Sequence, residues 1–303
     1  MPSPSVVAIF GPTASGKTAV AEGVADRLAG EVVSVDSMQA YEGLPILTAH
    51  PRRRTHLVGI WPLSHEGSVA EYAELAHAAI DELLAAGRTP VLAGGTGLYL
   101  RAALVDLGLP PAPAPGARAH WEEVYDRLGA QRTHALLADR DPEAAAHVHA
   151  NDRRRVVRAL ELAELGSSLS PDSDRLWTEE TRHDTIVFGL DVPREALLER
   201  IACRVRDMFD AGVVEEARAA LAGEVSATAV HALGLREVGE LPSNVALEAL
   251  IVRTRRYAAY QRKWMRRIPG LVSVDANRPA EEVADEIVEV ARARQRLPAG
   301  RAG

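Results

Sequence analysis

The sequence predicts an α/β chain: a P-loop core with a doubly wound parallel sheet, carrying a helical insertion domain. Three features predict it. The apolar run Val6–Phe10 passes directly into GPTASGKT at 11–18 and then into a helix-forming stretch. Strand and helix signals alternate over the first third of the chain, the rhythm of crossover connections between parallel strands. Strand signals also end in chemically active groups, Asp36 and Gly94-Gly95-Thr96-Gly97. Ligands of such sheets sit beyond the carboxyl ends of the strands.

The first element is the most specific. Gly11, Pro12, Thr13, Ala14, Ser15, Gly16, Lys17 and Thr18 satisfy Gly-x(4)-Gly-Lys-Thr between a strand and a helix, the setting this motif requires. Its glycines let the backbone curl so that successive N–H groups point inward, at a helix N-terminus where the dipole adds positive charge. Lys17 is placed to reach a terminal phosphate and the Thr18 hydroxyl to ligate Mg²⁺. A turn that only caps a helix is the alternative, and the strand–loop–helix context argues against it. A di- or triphosphate, ATP among the candidates, is the expected ligand.

The other elements follow in order. A helix runs from Lys17 to about Ala29, and Gly30 ends it. A second strand, 32–36, stops at a carboxylate and leads into Ser37-Met38-Gln39-Ala40-Tyr41. A stretch rich in Pro, Arg and His follows, then a helix over 69–86 with apolar positions at three- and four-residue spacing and Gly87 as its stop. A third strand, 90–93, ends in GGTGLYL. Residues 109–115, LPPAPAP, read as a linker, residues 116–169 as two or three helical segments, and SPDSD at 170–174 as a loop. Strand character returns over 185–192. Long helices are expected over 194–222 and 245–267, a last strand over 271–274, and a last helix over 279–296, ahead of a frayed tail. Residues 1–111 and 184–303 are thus assigned to the core and 112–183 to the insertion.

Composition narrows the class. The 303 residues are 47% hydrophobic and 25% charged, enough for one large core or two modest ones. No run of eighteen apolar residues occurs, so no membrane association is expected. The opening MPSPSVVAIF lacks a charged region before its apolar one and is not read as a signal peptide. A single cysteine, Cys203, rules out an internal disulfide or a thiolate cluster and points to a reducing, cytoplasmic setting. A monomer is expected. The net charge of −7 argues against a uniformly basic nucleic-acid coat, although global charge can hide a local patch. Lysine occurs only at Lys17 and Lys263, so a lysine inside the loop stands out.

Asp36 has three readings: a magnesium aspartate, as in kinases and NTPases; a general base aimed at a nucleophile; or a helix N-cap. The third strand ends in amide and hydroxyl donors without a carboxylate, which suits oxyanion binding and disfavours an NTP hydrolase. Positive charge gathers in two places. Residues 151–158 read NDRRRVVR. Residues 252–267 carry Arg253, Arg255, Arg256, Arg262, Lys263, Arg266 and Arg267 without an acid, interleaved with Tyr257, Tyr260 and Trp264. Cations hold phosphate backbones and aromatics stack on unpaired bases. Either segment alone could be a solvated helix face; two in an acidic chain point to a polyanion such as RNA. His147, His149 and His231 lack metal-ligand spacing, and Cys203 is expected to pack within its helix.

Together these segments resemble the tRNA dimethylallyltransferases, which prenylate the adenosine 3′ of certain anticodons. The matching pieces are GPTASGKT, SVDSMQAY at 34–41, GGTGLYL at 94–100, DPEAAAHVHANDRRRVVRALEL at 141–162, RIACRVRDM at 200–208 and TRRYAAYQRKWMRR at 254–267. They span nearly the whole chain in the family's order. The resemblance implies transfer from dimethylallyl diphosphate to adenine N6, with the loop holding diphosphate and Mg²⁺ as cofactor. It makes Asp36 the general base, Thr96 a hydroxyl on the reacting groups and Arg204 a diphosphate ligand. Arg118 lies at a position near the tRNA. Asp36, Ser37, Met38 and Gln39, with Arg154, Arg155, Val156, Val157 and Arg158, match tRNA-contacting segments, and the insertion resembles the domain that closes on the anticodon stem-loop. Three departures stand out: a short 42–57 segment, Leu235 where the family commonly has Tyr, and Ala259-Tyr260 where it commonly has two basic residues. Rival readings are an adenylate isopentenyltransferase acting on a free nucleotide, a small-molecule P-loop kinase and a noncatalytic phosphate-loop switch.

Overall fold

The computed structural model describes residues 6–109, 116–169 and 175–296. The expected linker, apart from its first residue, the loop at 170–174 and the tail lie outside the described residues. Five strands form one parallel sheet: β1 Val6–Phe10, β2 Glu31–Ser34, β3 Pro90–Gly94, β4 Thr185–Asp191 and β5 Val272–Asp275, in the order β2-β3-β1-β4-β5. All five residues of β1 are buried, which is why that strand reads as an unbroken apolar run. Phe10 lies opposite Gly94 on one side and Gly189 on the other. The chain leaves β1 toward β2 and β3 on one flank, then crosses to β4 and β5. The carboxyl end of β1 is therefore the topological switch point, where ligands of open α/β sheets bind.

Twelve α-helices are described: α1 Lys17–Arg27, α2 Val69–Ala85, α3 Gly97–Leu104, α4 Ala117–Leu128, α5 Ala130–Arg140, α6 Pro142–His147, α7 Arg153–Glu164, α8 Arg194–Asp210, α9 Val213–Ala222, α10 Leu235–Glu240, α11 Ser243–Met265 and α12 Ala280–Arg296. Three differ from expectation. The helix expected over 194–222 is two, because Gly212 adopts φ +96° and breaks the run between α8 and α9. Helix α3 starts inside a glycine-rich stretch that reads as strand end and loop, and the short α10 was not anticipated. Strand β2 stops at Ser34 rather than Asp36: the Asp36 carboxylate turns back to accept the Met38 N–H at 3.1 Å, an Asx turn that takes the chain out of the sheet.

The chain forms two compact units, Met1–Asp106 with Leu176–Gly303, and Leu107–Arg175. The second is shorter at its far end than the expected 112–183, and its first boundary falls earlier. Residues 176–183 belong to the sheet unit for a physical reason. Arg101, 1% exposed, donates to Leu176 O at 2.7 Å and Thr178 O at 2.6 Å. Asp81 takes Arg182 at 2.9 Å and His183 at 2.7 Å. Among its described residues the second unit has four helices, α4 to α7, rather than two or three. Trp121, Leu137, Val156, Val157 and Leu160 share its core.

Arg101 carries a directly measurable share of this arrangement. Arg101→Met keeps the bulk but orphans two carbonyls, and is expected to lower the unfolding free energy by about 2–4 kcal/mol, read from urea denaturation. An unchanged midpoint would show that the segment 176–178 is held by other contacts.

Candidate active site at the end of the central strand

Three loops meet at the carboxyl end of the sheet. In the first, Ser15 N donates to Pro12 O at 3.2 Å to close a tight turn, and Val20 N to Gly16 O begins α1. Ala14 and Gly16 are both left-handed, at φ 63° and 89°. Alternating handedness aims successive N–H groups at one side and makes a concave anion nest. Gly16 adopts this conformation freely; Ala14 does so at a cost of roughly 1–2 kcal/mol. The Ser15 hydroxyl is buried in this turn without a hydrogen-bond partner among the described residues.

The nest opens into a cleft of about 490 Å³ lined by Gly16, Lys17, Thr18, Asp36, Arg204 and Asp207, among others. Lys17 Nζ donates to Pro12 O at 2.7 Å. Burial, and then the neighbouring Arg204 guanidinium, pull the Lys17 ammonium down to about 7, while Asp36 opposes the shift. Burial likewise lowers Arg204, again opposed by Asp36. Arg204 forms no hydrogen bond or ion pair among the described residues. The cleft therefore sets Lys17 and Arg204 around Asp36, with Arg200 and Asp207 also in its lining, a net positive pattern that an anion completes.

Thr96, from the third loop, stands beside the second. Its hydroxyl accepts the Ser37 N–H at 3.3 Å and lies 3.4 Å from both the Ser37 and the Tyr257 hydroxyls. It precedes α3 without capping it. Burial, foremost, raises the Tyr257 phenol, which stays protonated through the neutral range. Within 36–39, Asp36 and Ser37 are thus the groups directed at the convergence. Met38 packs against the core. The Gln39 amide, although it lines the cleft, is held at both ends, accepting Ser34 Oγ at 2.8 Å and donating to Thr48 O at 3.2 Å and Ala49 O at 2.9 Å.

The donor set fits Mg²⁺. The Thr18 hydroxyl and the Asp36 and Asp207 carboxylates line one cleft, and no group of three or more His, Cys, Asp or Glu side chains able to hold a metal occurs among the described residues. Mg²⁺ is ordinarily held by few protein oxygens plus phosphate oxygens and water.

In the second unit, Val156 and Val157 do not present side chains to a partner. They are 0% and 3% exposed, because their helical spacing with Leu160 turns them into the core. Arg118 and Arg158 both bond the buried Glu161 carboxylate, at 3.1 and 3.0 Å. Arg154 and Arg155 are exposed. On α11, Arg253 pairs with Glu237 and Arg262 with Asp191, and just beyond it Arg267 lies over the Trp177 ring. Arg255, Arg256, Lys263 and Arg266 have no ion pair among the described residues.

Residues 39–268 match the family model described as IPP transferase, and residues 4–56 one described as isopentenyl transferase. The chain is 41% identical over 286 residues to the tRNA dimethylallyltransferase of Corynebacterium jeikeium, covering 90% of this chain and 92% of that one. It is 43% identical over 281 residues to the enzyme of that name from Streptomyces coelicolor, covering 88% and 89%. The chain belongs to the tRNA dimethylallyltransferase family. Among solved structures, the full-length tRNA isopentenylpyrophosphate transferase of Bacillus halodurans superimposes with a TM-score of 0.67 at 31% identity, over 97% of this chain and 100% of that one. A eukaryotic dimethylallyltransferase acting on tRNA shares the fold, with a TM-score of 0.78 at 24% identity over 98% and 81%.

Two family departures change character in the structure. Leu235 is fully buried in the sheet unit's core, where it packs rather than contacts a partner. Tyr260 is 55% exposed. The short 42–57 segment is tied down: the Glu216 carboxylate accepts the Ile46 and Leu47 N–H groups, both at 2.8 Å. Sequence reasoning missed Gln261, whose buried amide bonds two of the three loops, and left Tyr257 without a role beside Thr96.

A bound diphosphate raises the pKa of Lys17 above its empty-site value of about 7. Binding therefore takes up a proton, and affinity falls as pH rises through that value. Calorimetry with inorganic diphosphate in magnesium-free buffer is expected to show Kd weakening by up to about tenfold per pH unit above 7 relative to Lys17→Arg, whose guanidinium does not titrate there. Parallel curves for the two proteins would contradict this.

Proposed function

We propose that this chain transfers a dimethylallyl group from dimethylallyl diphosphate to N6 of the adenosine 3′-adjacent to the anticodon in tRNA, releasing diphosphate. The observation that carries the reading is the half-buried pair Lys17 and Arg204 facing Asp36 beside the nest, with Thr96 adjoining. Family membership supports it, as does the name shared by the bacterial relatives. The exposed cations of α11, with Arg154 and Arg155, favour an RNA acceptor over a free nucleotide. β3 ends in Gly94 and runs into Gly95 and Thr96 without the carboxylate a kinase or hydrolase would use there.

The residues divide the work. Adenine N6 is a weak nucleophile because its lone pair is delocalised into the ring. Asp36 accepts an N6 proton as the new C–N bond forms at the allylic carbon, a contribution of typically 10²–10⁴-fold. The allylic C–O bond breaks, and its electron pair leaves with the diphosphate. Lys17, Arg204 and the loop N–H groups stabilise charge where it develops. The Thr96 hydroxyl, oriented by Ser37 and Tyr257, is placed to hold the reacting groups. Thr18 with the diphosphate oxygens would hold Mg²⁺, which when bound neutralises leaving-group charge. The acceptor base must leave its stack, which costs least in a single-stranded loop. No described helix is long and apolar enough to cross a membrane. We take the enzyme to act as a cytoplasmic monomer.

Labelled dimethylallyl diphosphate offered with an anticodon stem-loop or with AMP tests the acceptor; label is expected on the RNA, and label on AMP alone would refute the tRNA reading. Asp36→Ala is expected to lose at least about tenfold in transfer rate with RNA affinity within twofold in filter binding. An unchanged rate would remove Asp36 from the chemistry.

A further inference from the structure

One buried polar side chain of the sheet unit is not used by the mechanism above yet touches its parts. Gln261, on α11, is 2% exposed. Its Oε1 accepts the Thr13 N–H at 2.7 Å, and its Nε2 donates to Gly95 O at 3.0 Å. The same side chain neighbours the Tyr257 hydroxyl, one turn earlier on the helix, and that hydroxyl lies beside Thr96 Oγ1. The first partner belongs to the diphosphate nest. The second immediately precedes Thr96.

We propose that Gln261 is a positioning residue that registers the diphosphate nest against the Thr96 loop, and so sets the distance between the leaving group and the acceptor pocket. The inference rests on the transferase reading for its catalytic consequence, but its structural content concerns the nest alone. The amide meets both loops because one needs a donor for its carbonyl and the other an acceptor for its N–H, a pairing that an ionised carboxylate cannot supply. Asn is shorter by one methylene and cannot span both. The loops are shaped to the amide in turn: a Cβ on Gly95 would fall within the Gln261 side chain, and one on Gly97 within the Trp264 ring of the same helix. Thr13 N is taken by this bond, which pins the turn just ahead of left-handed Ala14 and Gly16. Of the N–H groups that follow, Ser15 N is spent on Pro12 O, and the others are left for an anion. Displacements of about 1 Å between reacting groups can cost 10²-fold in rate, so a clamp between the two loops acts on turnover without touching substrate.

Two variants test this. Gln261→Met keeps volume and removes both bonds. Gln261→Glu keeps the shape but places a carboxylate oxygen against Gly95 O. Protonated, that carboxyl can again donate to Gly95 O and accept from Thr13 N. We expect Gln261→Met to bind inorganic diphosphate at least fivefold more weakly and to lose about 10–100-fold in kcat, with KM for the stem-loop RNA within twofold of wild type. We expect Gln261→Glu to be similarly impaired at pH 8 and to recover toward wild type, measured at the same pH, as pH falls to 5.5, with no such recovery in Gln261→Met. Melting temperatures are recorded for both. Wild-type diphosphate affinity and kcat in a variant that merely melts earlier would make Gln261 a packing residue and overturn the proposal. So would Glu and Met variants with the same pH profile. If wild-type protein transfers no label to any acceptor, the transferase reading fails, and the diphosphate-binding comparison and its pH rescue still decide the clamp.

Discussion

Two cations held side by side in a partly desolvated cleft repel each other and lose hydration, and the Asp36 carboxylate offsets that only in part. That imbalance among Lys17, Arg204 and Asp36 is the constraint on which the rest of the structure depends. It is tolerable only if the surrounding backbone cannot relax to relieve it. The burial of β1 supplies that rigidity, because its last residue is fixed between two parallel neighbours. Preorganised charge of this kind costs stability in the empty protein and is recovered when an anion arrives with developing charge of its own.

Holding the imbalance takes groups from far apart in the chain. α8 brings Arg204, the turn after β2 brings Asp36, and α11 bonds the nest through a residue 248 positions away from Thr13. Helices and strands set such distances better than loops do, and the loops at the cleft are fastened to α9, to α11 and to one another. Glu216 on α9 holds the 46–47 backbone, Gln39 holds 48–49, and Ser37 meets Thr96. The 46–49 backbone is thus bonded to the core rather than left loose.

How much of this could be read from the letters depended on whether a residue's partners were near it. The nest was legible because strand, loop and helix are consecutive, and Asp36 because a carboxylate closing an apolar strand is unusual. Gln261 was not, because an amide inside a basic helix has no pattern of its own and its partners are 248 and 166 residues distant. The glycines at 94–97 signalled a turn and hid α3; they are small because α11 and Val35 occupy the space a side chain would need. In NDRRRVVR the charges drew attention from the valine pair, whose spacing to Leu160 marks a core stripe. The insertion boundary hinged on Arg101, a buried arginine that composition gives no reason to expect.

The lowered pKa of Lys17 has a chemical corollary. Side-chain amines in this chain number two, and the other, Lys263, is an exposed residue of α11. Above neutrality the nest therefore presents an uncharged primary amine, a nucleophile, at the floor of an anion-shaped cavity. Acylating or carbonyl-bearing reagents with a phosphate-like tail would be drawn to that one nitrogen, giving a covalent handle on the nest in a protein otherwise almost free of lysine.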